Sequence, residues 1–142
     1  MSDTQLYKQQ LLDHFKHPRN KASAPMDGKT FIKRGSNPSC GDDIEIGFDI
    51  ANGQIENIEF RGRGCSICLA SSSMMTEVVN RTITNEAKAL AQEMREWVAG
   101  EDKTMPEFLQ PLSAVKHHPA RKKCVMLCWN ALSEGIEEYE NN

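Results

Sequence analysis

Residues 42–62, DDIEIGFDIANGQIENIEFRG, carry the strongest two-residue periodicity in the chain. Ile44, Ile46, Phe48 and Ile50 alternate with Asp43, Glu45, Gly47 and Asp49, the pattern of a strand with one buried and one wet face. Asn52-Gly53 follows, a dipeptide suited to a two-residue type I′ turn because both positions must take positive φ. The chain returns over 54–61 through Ile55, Ile58 and Phe60, so the segment predicts an antiparallel hairpin. Ile58 and Phe60 have the opposite parity to Ile55, and a bulge or a longer turn is needed to bring all three to the buried face.

On either side the periodicity is helical. Tyr7, Leu11 and Phe15, with Leu12 beside them, mark a first helix over 4–17 that Pro18 ends. A polar loop over 20–29 leads to a short strand near 30–34. After the hairpin, Ile67, Ala70, Ser71, Met74 and Val78 predict a helix from about 66 to 80. Thr84 is read as the plain N-cap of another, continued by Leu90, Met94, Trp97 and Val98 to Gly100. Residues 101–118, with Pro106 and Pro111, predict an irregular connector holding one short helical turn, and Pro119 opens a last helix to about Tyr139. The fold class that follows is α+β, a small antiparallel sheet covered by helices, in a single domain over 1–142.

Composition narrows the function. With 39% hydrophobic and 26% charged residues the chain is ordinary globular protein, and no apolar run approaches a membrane span. A formal charge of -3 and few, scattered aromatics give no footprint for nucleic acid. The first residues lack the charged start, apolar middle and cleavage site of a secretory signal. Five cysteines, an odd number, then point to reduced thiols in the cytoplasm, used for packing, metal or catalysis.

Cys40 and Asp42 lie in phase with the buried face of the first hairpin strand, ~7 Å apart if that segment is extended. Continuing the Asn52-Gly53 register places Cys40 opposite Cys65, apart from the shift a bulge would bring. Cys65 opens a helix, where free N–H groups and the helix dipole favour an anionic sulfur, and Cys124 lies in the early part of the last helix. Three thiolates and a carboxylate suit tetrahedral zinc and also offer a seat for a transient iron-sulfur cluster. A hard oxygen among soft thiolates makes such a site easier to open than a permanent structural one. The plainer alternative is three core cysteines and a turn aspartate with no metal.

At these residues the sequence resembles the IscU/SufU family of iron-sulfur cluster assembly proteins, through Asn37-Pro38-Ser39-Cys40-Gly41-Asp42, Gly62-Arg63-Gly64-Cys65-Ser66-Ile67 and Arg121-Lys122-Lys123-Cys124. The opening helix with His17-Pro18-Arg19-Asn20 is similar as well. The resemblance implies a three-stranded sheet of the SufE/IscU-like kind. Lys123 stands where IscU-like members have a ligand histidine, and the long 100–118 connector is similar to the SufU branch. That branch implies zinc held by Cys40, Asp42, Cys65 and Cys124 and a role accepting sulfur from a PLP-dependent cysteine desulfurase for downstream iron-sulfur assembly proteins; Cys40, beside Gly41 in a loop, is read as the thiolate that takes the sulfur. In that role the chain acts as a zinc-dependent sulfurtransferase. The alternatives are a scaffold on which a [2Fe-2S] cluster is assembled, and a non-catalytic zinc-stabilised interaction module.

The remaining candidates have bland readings. Cys68 and Cys128 are read as core, although Cys65-x-x-Cys68 has the spacing of a redox pair. Met74 and Met75 are read as core, and His14 and His17 as helix-end residues rather than ligands. His117, His118, Arg121, Lys122 and Lys123 form a basic cluster, either solvated or a docking face for an acidic partner. Arg61 and Arg63 either orient a persulfide or a partner's carboxylate, or face water.

Overall fold

In the computed structural model, Asn52 and Gly53 take φ of 55° and 77°, the positive pair that a type I′ turn requires. The structure describes residues 3–142; Met1 and Ser2, which open the expected 1–142 domain, lie outside them. Three strands, β1 (Phe31–Asn37), β2 (Asp42–Ala51) and β3 (Gln54–Arg63), form an antiparallel sheet in the order β1-β2-β3.

The parity conflict in β3 is resolved by a bulge. Asp49 pairs with Glu56 and Gly47 with Glu59, so β3 places two residues, Asn57 and Ile58, opposite Phe48. Asn57 takes φ 53°, and the extra residue turns Ile58 and Phe60 inward with Ile55. The bulge also moves the register beyond it by one: Asp43 pairs with Arg63, and the Cys40–Cys65 pairing expected from the simple register does not occur.

The short strand expected near 30–34 runs to Asn37 instead, because it closes a second hairpin in which Asn37 pairs with Asp42. Pro38–Cys40 between them is a single 3-10 turn, ended by Gly41 at φ 70° with its N–H donating to Pro38 O at 3.2 Å. Cys40 therefore lies in a turn and not in phase along β2. The outer edge of β3 is covered, with Phe60 N donating to Asn20 O and Ile55 N to Thr82 O.

Four α-helices accompany the sheet among the described residues: α1 (Asp3–Lys16), α2 (Ser66–Val79), α3 (Thr84–Val98) and α4 (Pro119–Glu140). Thr84 is the first residue of α3 and not its cap; Ile83 takes that place in extended conformation, bridged to Gln54 at the start of β3. In α1 the core-facing stripe is Tyr7, Leu11 and His14, while Leu12 and Phe15 are 48% and 40% exposed. His14 fixes that rotation: its Nδ1 lies 2.8 Å from Ser73 Oγ and its ring meets Phe108 edge-on.

α4 lies close on the sheet through two glycines. A Cβ on Gly35 would sit 3.1 Å from Leu127 O, and one on Gly135 would sit 2.5 Å from the Phe48 ring. α2 is buried almost all round between α1 and α4, and its small Ser71, Ser72 and Ser73 allow the approach because each is hydrogen-bonded. Ser71 Oγ donates to Val125 O and accepts from Trp129 Nε1, joining α2 to α4.

The connector is more regular than expected. Glu107–His117 forms a 3-10 run, with Leu109, Leu112 and Val115 all buried. Their spacing of three residues matches the 3.0 residues per turn of a 3-10 helix, which stacks i and i+3 on one face.

Candidate metal centre

The first hairpin turn, the end of β3 and the start of α4 deliver the four singled-out residues to one place. Asp42 opens β2 and is 2% exposed; its Oδ1 accepts the Cys65 N–H at 2.7 Å. That bond ties the carboxylate to the N-cap of α2, since Cys65 is the residue that starts the helix. Gly64 is required beside it, because a Cβ there would lie 2.8 Å from Asp42 Oδ1 and 3.2 Å from Cys68 Sγ.

The ligand-capable atoms of Cys40, Asp42 and Cys124 all lie within 4.8 Å of one another. Cys65 stands beside this trio, its Sγ 3.9 Å from Asp42 Oδ2. Tetrahedral zinc with Zn–S bonds of ~2.3 Å sets its donors ~3.7 Å apart; the trio lies within 4.8 Å, a group that does not include Cys65. Cys124 is fully buried, in the second turn of α4. Burial pushes its thiol pKa well up, and its contacts with Asp42, Cys40 and Cys65 push it the same way. A cation that replaces the proton relieves that crowding of acceptors, so the donor set fits a thiophilic divalent metal.

Two neighbours were not anticipated as part of this site. Asn37, buried at the end of β1, has its Nδ2 3.8 Å from Cys124 Sγ. Arg121, one of the basic cluster read from the sequence, turns its guanidinium to Cys65 and Cys124, and attraction to Cys65 first of all raises its pKa. The signal was its position three residues before Cys124, on the same helical face. Of the other cluster members, His117, His118 and Lys123 are exposed and Lys122 is half-buried.

The two remaining cysteines are core. Cys68 and Cys128 are fully buried; Cys128 Sγ lies 3.5 Å from Ser71 Oγ, and burial pushes its pKa up to about 11. Met74 and Met75 are buried as expected. His14 is spoken for by Ser73. Arg63 is exposed and Arg61 half-buried, lining a groove of about 550 Å³ with Lys21, Arg34, Asp43 and Glu45.

No helix among the described residues is long and apolar enough to cross a membrane. Residues 6–142 match the family described as NifU-like N terminal domain. The chain is 33% identical over 138 residues to the zinc-dependent sulfurtransferase SufU of Bacillus subtilis (strain 168), covering 95% of this chain and 92% of that protein. It is 38% identical over 139 residues to the iron-sulfur cluster assembly scaffold protein IscU of Streptococcus pyogenes serotype M1, covering 96% of this chain and 86% of that protein. The crystal structure of the N-terminal part of a nitrogen-fixing NifU-like protein from Brucella abortus has the same fold, with a TM-score of 0.84, 18% identity and coverage of 96% of this chain and 95% of that one. With the three cysteine blocks, the topology and the span of the match in agreement, the chain belongs to the IscU/SufU family of iron-sulfur cluster assembly proteins.

Proposed function

We propose that the chain is a sulfur acceptor in iron-sulfur cluster assembly, holding zinc through Cys40, Asp42, Cys65 and Cys124 and taking sulfur on Cys40 from a PLP-dependent cysteine desulfurase in the cytoplasm. The observation that carries this reading is the convergence of three cysteines and Asp42 with Cys40 carried by a glycine-ended turn. Zinc bound there would supply a positive charge that keeps the sulfurs anionic near neutral pH.

Cys40 is the sulfur best placed to move. It is half-buried, lies in neither a strand nor an α-helix, and is followed by Gly41 in the left-handed region with nothing within 4 Å of where a Cβ would sit. Its thiolate attacks the outer sulfur of the desulfurase persulfide; the new S–S bond forms on Cys40 and the desulfurase cysteine leaves as thiolate. Asp42, held by the Cys65 N–H, stays in place while Cys40 moves. The exposed cluster of His117, His118 and Lys123 offers the desulfurase a basic face, and downstream assembly proteins would receive the sulfur.

The test is desulfurase turnover with wild type and Cys40→Ser. Wild type is expected to raise turnover and carry persulfide, and Cys40→Ser to do neither; a Cys40→Ser protein that still does both refutes the assignment. A second reading, the [2Fe-2S] scaffold, has in its favour the name of the Streptococcus pyogenes relative. Anaerobic purification separates the two, since zinc protein is colourless whereas a cluster gives a visible chromophore.

A further inference from the structure

Cys65 and Cys68 stand in a relation that metal binding does not use. Cys65 is the N-cap of α2 and Cys68 its third residue, so they occupy one face of the first turn. Residues three apart on a helix have Cβ atoms ~5–6 Å apart, within a small adjustment of what a disulfide spans. The two sulfurs differ in access: Cys65 is half-buried, while Cys68 is sealed. A Cβ on Gly64 would lie 3.2 Å from Cys68 Sγ, so the sealed sulfur sits directly under the backbone that carries Cys65. An accessible first thiol with a sealed second one, at the start of a helix, is the arrangement of an attacking and a resolving cysteine.

We propose that Cys65 and Cys68 form a redox-active dithiol overlapping the metal centre, which a small-molecule disulfide converts to an intramolecular disulfide that withdraws Cys65 from metal. The Cys65 thiolate attacks one sulfur of the small disulfide, forming a mixed disulfide and releasing one small thiolate. Cys68 gives its proton to the released small thiolate and attacks the Cys65 sulfur as a thiolate; the Cys65–Cys68 bond forms, the mixed-disulfide bond breaks and the second small thiolate leaves. The cysteine pair is oxidised by two electrons and the small disulfide is reduced to two thiols. An external dithiol reverses both steps. One sulfur cannot serve the metal and the disulfide together, so metal shields the pair and oxidation releases metal. The release rests on the proposed centre; the dithiol itself does not.

The zinc-loaded full chain is treated with oxidised glutathione, alkylated without reduction and digested with trypsin, while a chromogenic chelator follows released zinc. Cleavage after Arg63 and Arg81 leaves Cys65 and Cys68 as the two cysteines of peptide 64–81. The expected product is that peptide two hydrogens lighter, unalkylated and not cross-linked, appearing in step with zinc release and reversed by a dithiol. Cys68→Ala and Cys68→Ser, each checked to bind zinc as wild type does, are expected to trap glutathione on peptide 64–81 instead. Zinc release with peptide 64–81 fully alkylated, or cross-linked to the peptide holding Cys124 and Cys128, overturns the proposal. The light peptide with zinc fully retained overturns the overlap, and with it the place of Cys65 among the ligands.

Discussion

At the residue scale the site depends on Gly64, where there is room for a hydrogen and no more. A methyl group there meets the Asp42 carboxylate at 2.8 Å and the Cys68 sulfur at 3.2 Å, neither at the end of a long flexible chain. Gly64→Ala is therefore expected to cost about 1–3 kcal/mol of stability through overpacking, and to weaken zinc retention in a chelator titration; wild-type retention would show that Asp42 can shift freely. His14 makes a separate case. Burial, with the Arg19 charge next, holds its pKa below the usual histidine value, while Glu77 and Asp13 oppose them. A histidine whose folded pKa is depressed binds fewer protons folded than unfolded, so stability is complete above the ordinary value of 6.5 and falls as the pH drops below it. Thermal unfolding followed from neutral to mildly acidic pH should show that loss, and His14→Gln should flatten it. None of this was legible in the sequence, where His14 was one polar residue beside an apolar stripe. Its burial follows from Ser73 and Phe108, partners supplied by distant segments.

At the scale of elements, short-range chemistry was readable and longer-range geometry was not. Asn52-Gly53 fixed its turn, and the parity of Ile58 and Phe60 required the bulge that Asn57 supplies at φ 53°. Asn tolerates that conformation, whereas a β-branched side chain there is strained, so Asn57→Val is expected to lower stability by about 1–2 kcal/mol in denaturant unfolding, with Asn57→Gly near wild type. Gly41 hints at a loop beside Cys40, but the 3-10 turn over Pro38–Cys40 is hidden in the sequence because Cys40 and Asp42 continue the β2 parity, and only the pairing of Asn37 with Asp42 ends the strand. The connector was masked by its prolines. Leu109, Leu112 and Val115 repeat every third residue, a period of neither strand nor α-helix, and it marks the 3-10 run that seals the core. Leu112→Ala should cost about 2–5 kcal/mol by cavity formation, readable in the unfolding midpoint; a surface-like change below 1 kcal/mol would mean the run is not part of the core.

At the scale of the whole molecule, three distant segments converge because two hairpins end at the same edge and α4 begins there. The cysteine blocks were legible as motifs; the contact between Cys124 and Cys40 was not, because it depends on how α4 lies across the sheet at Gly35 and Gly135. Around that site His117, His118 and Lys123 are exposed, and Lys123→Glu should raise the protein concentration needed for half-maximal desulfurase stimulation, with added salt weakening wild type in the same direction. The central claim, that Cys40, Asp42, Cys65 and Cys124 hold one zinc ion, is tested most directly by X-ray absorption at the zinc edge of the purified protein. The account predicts three sulfur neighbours at ~2.3 Å and one oxygen at ~2.0–2.2 Å, with one sulfur lost in Cys40→Ser. Fewer than three sulfurs in the wild type, or the multiple-scattering signature of an imidazole ligand, would contradict it.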